Sequence, residues 1–426
     1  MNKALKIMRE KDCSDPTSWY YQGAIHWVPD TIKNNKLCES YHNVSDLKDG
    51  WNNCTHTPSG QEELHFLVWH RMYIYHFEKI VRKLSGYEDF ALPYWAYTNK
   101  GVNEKTLPEK LMDPSSSLFE LARFDSLNMG YPISGEMERA LDLTKLFSYD
   151  SYEKFCKNID AAPHGAMHDY IGAGNDTSSV PRFPNSITGK LSPTGLMGWV
   201  PTAAFDPVFW THHSNIDRLW QQWSNSPNGK AVTLEILKGA PWSYVFFDEN
   251  GKKVEYTIEQ VLDIVYSMDY DFDDTEVKKP SSESKMAVKT NTPLLSFPKK
   301  KLNSHHNVTP LGKKGASVGS TVLVTVSFDR VPKGSYEVYL NTDKGEKSHP
   351  SDNSFLGFMT FFGSDHKMAG ETCEMGCCGT LNKERGNTKV FSFGITSPVK
   401  GDLNLTVLKF NKKVHGDLVI EKVEIK

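Results

Sequence analysis

The chain has 426 residues, enough for roughly two or three domains with a large internal core. Its composition, 38% hydrophobic and 24% charged with a formal net charge of -3, is that of a globular protein and excludes the strong positive field of a general nucleic-acid binder. No segment reaches the ~20 consecutive apolar residues of a membrane helix, and the first residues, MNKALKIMREKDCSDP, are unlike a signal peptide. We therefore expect a soluble, cytoplasmic protein without nucleic-acid or membrane partners, and composition leaves its oligomeric state open.

The distribution of charge divides the chain into two parts. From Ala287 onward there are 20 Lys and Arg against 13 Asp and Glu, a net charge of +7, whereas the preceding residues carry 29 against 39, a net charge of -10. The change coincides with EVKKPSSESKMAVKTNTP, a Ser-, Lys- and Pro-rich run without a hydrophobic period, which is typical of a linker. We predict a first domain over 1–278, a linker over 279–300 and a second domain over 301–426.

The two parts have different hydrophobic periods. In ELHFLVWHRMYIYHFEKIVRKL, apolar side chains recur at three- and four-residue steps, which predicts a helix that ends near Gly86. Beyond the linker, six runs alternate or are continuously apolar: STVLVTVSFDRV, SYEVYLNT, FLGFMTFFG, TKVFSFGIT, LNLTVLKF and DLVIEKVEI. The sequence therefore predicts a mainly α-helical first domain followed by a β-sandwich or β-barrel.

Histidines recur at spacings that suit a metal site. In PHGAMHDYIG, His164 and His168 are four residues apart, so on a helix their imidazoles project from one face. His212 and His213 lie within DPVFWTHHSNIDRLW, where the Asp-Pro pair predicts a helix start. The simplest alternative is a core histidine hydrogen-bonded by Asp217 or Asn215, but three histidines from two helices can complete one metal site.

A second set of histidines precedes these: His26 in SWYYQGAIHW, His56 in NNCTHTPSG and His70 in FLVWHRMY. Two sets make a binuclear centre credible. Imidazole ligands without a carboxylate favour copper, zinc or nickel over magnesium, calcium or non-haem iron.

Together these residues resemble the type-3 copper proteins, the family of tyrosinases, catechol oxidases, polyphenol oxidases and molluscan-type haemocyanins. The resemblance is carried by CTH, FLVWHRMYIYHFEKI, LPYWAY, PHGAMH and DPVFWTHHSNIDRLW, in that order. The strand-rich part is similar to the β-domain that follows the catalytic domain in plant and some bacterial polyphenol oxidases. The resemblance implies a four-helix bundle that holds a dicopper site, with two copper ions as cofactors and dioxygen as co-substrate.

Six ligands are implied by the resemblance, with His26, His56 and His70 on the first copper and His164, His168 and His213 on the second. His212 then supports the site through hydrogen bonds. The first-copper histidines are spaced more widely than in relatives, which makes His65 an alternative ligand. Cys54 stands two residues before His56, where several members form a thioether between cysteine and histidine; a buried thiol is the alternative.

The activity that the resemblance implies is copper-dependent oxidation of o-diphenols (catechols) to o-quinones, with a small phenolic substrate. The alternatives are a tyrosinase that also hydroxylates monophenols, an o-aminophenol oxidase and an oxygen carrier. Asp160 stands where plant relatives often hold a water that acts as base, or it is an ordinary acidic residue at a helix N-terminus. Gly165 lacks the Asn of strong monophenol hydroxylases, and this favours diphenol oxidation.

Entrance and C-terminal residues complete the expected site. The resemblance places Val200 at the gate of the site, where plant relatives have a larger side chain. It places Asp169 at the entrance, where it would favour substrates with an amine or hydroxyl.

Seven cysteines do not form a disulfide framework in a chain this long. Soft sulfur ligands select Cu(I), so Cys373, Cys377 and Cys378 predict a copper-loading loop, with a disulfide or thiol cluster as the alternative. Phe361 or Phe362 is predicted to cover the site, which makes the second domain a candidate shielding domain.

Overall fold

A computed structural model describes residues 1–27, 54, 61–172, 182–239, 242–268, 271–283, 300–302, 306–328, 331–332, 334–341, 352–364, 387–410 and 418–426. Helices dominate the described part before residue 270, and strands dominate from residue 300 onward. The predicted fold class, a helical domain followed by a β-domain, is confirmed.

The helical domain is built mainly from short helices around two long ones. In chain order, the helices are α1 Asn2–Glu10, α2 Trp19–His26, α3 Phe66–Ser85, α4 Val102–Lys105, α5 Glu109–Met112, α6 Asp125–Asn128, α7 Met137–Ala140, α8 Thr144–Phe147, α9 Tyr152–Ile159, α10 Ala166–Ile171, α11 Val200–Ala203, α12 Val208–Asn225, α13 Leu234–Lys238 and α14 Ile258–Ser267. A π-helical turn, Asp160–Gly165, joins α9 to α10. The helical domain also contains two antiparallel hairpins, β1 Phe183–Asn185 with β2 Lys190–Ser192 and β3 Tyr244–Phe247 with β4 Lys253–Tyr256.

Helix α3 follows the predicted pattern. A 3-10 helix, Gln61–His65, precedes it, and it ends at Gly86, which adopts φ 72° and donates its N–H to the carbonyl oxygens of Arg82 and Lys83. Glycine adopts this left-handed conformation without the strain that a side chain causes. The basic residues of the last turn complement the negative end of the helix dipole.

Helix α12 lies in the centre of the domain. Every residue from Val208 to Gln221 is buried, so the helix is surrounded on all sides. The carboxylate of Asp206 accepts a hydrogen bond from the Val208 N–H at 3.0 Å, which satisfies one donor of the first turn. This start places His212 and His213 in the second turn, as predicted.

The β-domain consists of two antiparallel sheets in its described part. The strands are β5 Lys300–Leu302, β6 His306–Ala316, β7 Thr321–Phe328, β8 Tyr336–Leu340, β9 Phe355–Met359, β10 Asn387–Gly394, β11 Val399–Lys409 and β12 Leu418–Ile425. One sheet has the order β10-β7-β12-β5 and the other β6-β11-β8-β9. Alternate residues of β7 are buried, which is the pattern of a strand with one face on a sandwich core.

Polar contacts join the two domains. The Tyr149 hydroxyl donates to the Leu356 carbonyl at 3.1 Å, and the Asn158 amide donates to the Ser392 carbonyl at 3.1 Å. Arg139 pairs at 2.6 Å with Glu337, whose side chain is fully buried. The β-domain is therefore docked on the helical domain by specific contacts rather than tethered beside it.

The predicted linker differs from the structure at its start. Ala231 donates its N–H to the Ser282 carbonyl at 2.9 Å and forms a parallel bridge with Glu283, so these residues are attached to the helical domain. Residues 284–299 lie outside the described part. Among the described residues, no helix is both long and apolar enough to cross a membrane.

Candidate metal centre

The first histidine cluster consists of His26, Cys54 and His70. All three are buried, and their donor atoms lie within 4.8 Å of one another. His26 is the last residue of α2 and His70 lies in the second turn of α3. Cys54 Sγ is 3.6 Å from His70 Nε2, and the Cys54 N–H donates to the His26 carbonyl at 3.3 Å. The structure thus brings together Cys54 and two predicted ligands, while His56 lies outside the described residues.

The second histidine cluster consists of His164, His168, His212 and His213, whose donor atoms also lie within 4.8 Å of one another. His164 belongs to the π-helical turn and His168 to α10, and the one non-helical residue of that turn, Ala162, comes before Pro163, so the pair lies on one continuous helical run, as the spacing predicted. His168 Nδ1 lies 2.9 Å from the Met197 carbonyl oxygen, which directs Nε2 toward the cluster.

The two clusters adjoin each other. The rings of His70 and His213 stack with centroids 4.2 Å apart and an interplanar angle of 7°. The Phe209 ring lies 4.2 Å from His213 and 4.9 Å from His26, so it packs against both clusters. The four histidine-bearing segments are α2, α3, the turn with α10, and α12. Together they enclose one buried, aromatic-walled binuclear site.

Burial keeps these imidazoles neutral. It lowers the pKa of His70, His168 and His213 well below the ordinary value for histidine, and neighbouring histidines lower it further. A neutral imidazole has a lone pair available for a metal, whereas a protonated one does not. These three imidazoles therefore have the protonation state that metal binding requires.

The donor set fits copper. His168 Nε2 and both ring nitrogens of His213 are buried without a hydrogen-bond partner among the described residues. Such groups are costly unless something else binds them. Within the described residues neither cluster includes a carboxylate, and imidazole with one thiol suits copper or zinc.

His212 and His213 differ in their partners. His212 Nδ1 lies 2.8 Å from the Tyr97 hydroxyl, and the two rings stack with centroids 5.7 Å apart. Asp217, the simplest alternative partner, instead binds Arg71 at 2.6 Å. One nitrogen of His212 is thus engaged by the protein, while its Nε2 and both nitrogens of His213 are buried without a hydrogen-bond partner among the described residues, so the assignment of His213 as the ligand stays a prediction.

His65, the alternative ligand, lies outside both clusters. Its Nδ1 is 2.6 Å from the Tyr244 hydroxyl and its Nε2 is 3.2 Å from the Leu237 carbonyl oxygen. Both nitrogens are engaged, so His65 connects α3 to the β3–β4 region and has no lone pair left for a metal.

Asp160 contacts a predicted ligand directly. One carboxylate oxygen is 2.9 Å from His164 Nδ1, and the Asp160 carbonyl oxygen is 3.1 Å from the same atom. This contact fixes the orientation of the His164 ring. Asp160 also lines a polar cavity of about 20 Å³ with Glu63, Lys157 and Lys389, which is room for about one water molecule. Burial raises the pKa of the Glu63 carboxyl group to about 7. Glu63 beside Asp160 and Tyr97 beside His212 are two residues of the site that the sequence did not indicate.

The entrance is covered by the β-domain. The Phe362 ring stacks on His168 with centroids 4.1 Å apart and an interplanar angle of 20°, and it meets the His164 ring at 5.8 Å. Beside it lies a cavity of about 350 Å³, lined by residues from both domains that include Asp169, Thr194, Trp199, Val331, Phe361 and Phe362. Of the two phenylalanines, only Phe362 faces the histidines.

Val200 and Gly165, two other residues that the sequence placed at the site, lie in different parts of its surroundings. Val200 is buried at the start of α11, and its neighbour Trp199 lines the cavity. Gly165 lies against Thr360 and Phe362 of the β-domain.

Three of the predicted copper-loading residues, Cys373, Cys377 and Cys378, lie outside the described residues, so their copper-loading role stays a prediction. Cys13 forms a disulfide, which is unusual in a cytoplasmic protein.

Comparison with known proteins agrees with this geometry. Residues 16–126 and 132–226, which hold both clusters, match the family model for the common central domain of tyrosinase. The fold and the clusters define a binuclear metal protein, and the helical domain carries the common central domain of tyrosinase, the copper domain of the polyphenol oxidase and tyrosinase family. That family implies a dicopper centre, which the two clusters fit.

Relatives and solved structures show how far the likeness extends. Tyrosinase HcTyr1 of Hahella sp. is 31% identical over 61% of this chain and 57% of its own length, and a chloroplastic polyphenol oxidase of Malus domestica is 24% identical over 86% and 66%. A latent aurone synthase aligns with a TM-score of 0.66 at 19% identity, covering all of this chain and 86% of its own. A latent apple tyrosinase aligns with a TM-score of 0.64 at 19% identity, covering all of this chain and 93% of its own.

The chain spans about half to two thirds of the length of the curated relatives that it matches. The structural likeness therefore supports the two-domain fold, while activity and substrate are matters for proposal. No comparison assigns the chain to a compartment, so the cytoplasmic location stays a prediction.

Proposed function

We propose that the chain oxidises o-diphenols to o-quinones with dioxygen, using copper held by His26, His56 and His70 and by His164, His168 and His213. Two copper ions held by these histidines would supply the redox chemistry of the reaction, in which two diphenols together lose four electrons and four protons and one dioxygen is reduced to two waters. The observation that carries the proposal is the pair of adjoining, buried clusters of neutral imidazoles. Copper content and catechol oxidation by the full chain are the measurements that test it.

The protein's own groups orient the ligands and exclude water. Backbone carbonyls of Phe66 and Met197 accept hydrogen bonds from the Nδ1 atoms of His70 and His168, which turns each Nε2 toward the cluster. The Asp160 carboxylate does the same for His164. Phe209 and its aromatic neighbours fill the space around the clusters, so charge transfer takes place in a dry, fixed environment.

Cys54 supports the first cluster in this proposal. Its sulfur lies among the histidines, where a thioether to His56 would hold the imidazole in place. Peptide mass mapping tests the bond, since a thioether joins residues 54 and 56 with the loss of two hydrogens. A mapped peptide with both side chains unmodified would remove the thioether and leave the copper assignment untouched.

Asp169 is our candidate for substrate selection. It is buried, and it lines the cavity beside the entrance together with Trp199, an aromatic surface that suits a phenol ring or a cation. A carboxylate there favours a phenol with an ammonium group. Gly165 lacks the amide that we associate with monophenol hydroxylation at this position, and we therefore propose diphenols as the substrate class.

Replacing Asp169 by Asn should lower kcat/KM for dopamine by about tenfold relative to 4-methylcatechol, the factor of one charge-assisted hydrogen bond worth about 1.4 kcal/mol. The ratio of the two substrates is the measurement, because it cancels changes common to both. Thr194→Val, which alters an uncharged residue of the same cavity, is the control and should leave the ratio unchanged. An unchanged ratio in Asp169→Asn would remove the carboxylate from substrate selection.

We also propose that the β-domain shields the site. Phe362 occupies the space in front of His168 that a phenol ring needs. Phe362→Ala should therefore raise catechol oxidation by the uncleaved chain about tenfold or more, because the binding-competent fraction increases. Phe410→Leu, a change inside the β-domain core, is the control and should not activate. Catechol oxidation at the same rate in wild type and Phe362→Ala, at full copper occupancy, would contradict the shielding.

The covered entrance also favours a second candidate, oxygen carriage, because a site closed by Phe362 to phenols can still admit dioxygen. The same variant separates the two candidates. An oxygen carrier would bind dioxygen reversibly in both forms and leave catechol unoxidised even after Phe362 is removed.

A further inference from the structure

The segment that covers the entrance is formed by residues 360–363, which we call the capping segment, and it rests on Gly165. A side-chain carbon added at Gly165 would lie 2.9 Å from Thr360 Oγ1, 3.0 Å from the Asp160 carbonyl oxygen and 3.5 Å from Phe362 Cβ. The first of these distances is shorter than carbon atoms of side chains tolerate. A side chain at this position therefore requires Thr360 or the capping segment to shift.

The capping segment is held on the side away from Gly165, so it has little room to shift while it stays closed. Lys389 donates to the Thr360 carbonyl at 2.9 Å from a buried position in β10. Phe361 packs edge-on against Phe328 and Phe391, with centroids 5.3 and 5.5 Å away, inside the sandwich. The segment is therefore held on its far side, and a clash at Gly165 must be relieved by lifting it from the site.

We infer that Gly165 is a positioning residue for the capping segment: its missing side chain lets Thr360 and Phe362 settle over His164 and His168, so the residue after His164 sets how tightly the β-domain closes the entrance. This inference rests on the proposed function, since it concerns access to the same centre. It gives position 165 a second role, because any side chain introduced there to alter phenol chemistry also opens the entrance.

A close contact elsewhere in the interface provides a comparison. A side-chain carbon at Gly394 would lie 2.8 Å from Tyr149 Cε1, far from the capping segment in the chain and close to the Tyr149 and Asn158 hydrogen bonds. A substitution at Gly394 should loosen the docking of β10 as a whole. A substitution at Gly165 should affect the capping segment alone.

The test uses the full chain with Gly165→Ala, alone and combined with Thr360→Ala or Thr360→Val. Alanine at position 360 removes Oγ1, whereas valine keeps an atom in its place. Hydrogen–deuterium exchange of peptides covering residues 355–364 in the metal-free protein is the first readout. We expect faster exchange after residue 359 in Gly165→Ala, recovery with Thr360→Ala and no recovery with Thr360→Val.

Anaerobic binding of 4-nitrocatechol to the copper-loaded chain is the second readout. We expect about tenfold tighter binding in Gly165→Ala than in wild type, because the closed fraction falls, and a return toward wild type with Thr360→Ala. Gly394→Ala should instead raise exchange across β10.

Three results would overturn the inference. They are unchanged exchange in Gly165→Ala, an increase that Thr360→Ala does not reverse, and an increase that spreads across β10 as in Gly394→Ala. Failure of the proposed function is separate: it would show as missing copper or as no catechol oxidation by the opened chain, whatever the exchange pattern.

Discussion

Replacing His213 by alanine should remove one copper per chain and lower catechol oxidation by at least about a thousandfold, as the loss of an essential group does in other enzymes. His213 has two buried ring nitrogens without a hydrogen-bond partner among the described residues, and its ring stacks on His70 of the other cluster. In our proposal, its removal takes a ligand from the second copper and also removes the ring that packs against His70 in the first cluster. Copper per chain, measured together with the rate, separates loss of metal from loss of fold.

His212→Ala is the matched control, because the two histidines are adjacent on α12 and equally buried. We expect it to retain two coppers with a smaller loss of rate, since His212 is bound to Tyr97 and acts through orientation. The reverse outcome, copper lost in His212→Ala and kept in His213→Ala, would exchange the roles of the two residues.

Replacing Arg123 by methionine should lower the free energy of unfolding by about 3–5 kcal/mol, the cost of leaving one charge of a buried pair without its partner. Arg123 and Asp206 are fully buried, and the guanidinium binds the carboxylate at 2.5, 2.9 and 3.1 Å. The same guanidinium donates to the carbonyls of Leu111 and Leu118. Asp206 in turn caps α12, so the loss reaches the helix that carries His213.

Urea unfolding of the metal-free chain measures this effect without copper. Lys110→Met is the control, because Lys110 and Asp113 form an exposed pair, and such pairs contribute about 0–1 kcal/mol. The loss of unfolding free energy in Arg123→Lys should fall between those of Arg123→Met and Lys110→Met, because lysine keeps the positive charge but lacks the planar guanidinium that binds a carboxylate through two nitrogens. A loss below about 1 kcal/mol in Arg123→Met would show that the pair is not needed to start α12.

Helices and strands with a strong period were predictable from the sequence. The apolar repeat of α3, its glycine stop and the Asp-Pro start of α12 are all local signals, and the structure has these elements. The six predicted runs correspond to β7 through β12. Strand β6 was not predicted, because HNVTPLGKKGA contains a proline, two glycines and two lysines in place of an alternating pattern.

The local shape of the second cluster was not predictable. The four-residue spacing indicated the helical run that His164 and His168 share, but it did not indicate the non-helical residue Ala162 in the turn that precedes His164. This turn brings the Asp160 carboxylate to His164, a contact that a regular pattern does not reveal. The role of Tyr97 depends on two segments 115 residues apart in the chain, and only the fold brings them together.

The contact between the two domains was the feature that the sequence predicted least. Phe361 and Phe362 are equivalent in the sequence, and only the packing of Phe361 into the sandwich leaves Phe362 to face His168. Gly165 was interpreted through phenol chemistry alone, while the structure adds its contact with Thr360. Long-range packing of this kind follows from the docking of two domains, which no local period encodes.

Copper content measured together with 4-tert-butylcatechol oxidation, on the full chain carrying Phe362→Ala, tests the central claim most directly. The account predicts two coppers per chain and formation of the o-quinone with consumption of dioxygen. Fewer than two coppers after reconstitution would contradict the binuclear centre. Two coppers without quinone formation at the opened entrance would contradict the diphenol oxidase and favour an oxygen carrier.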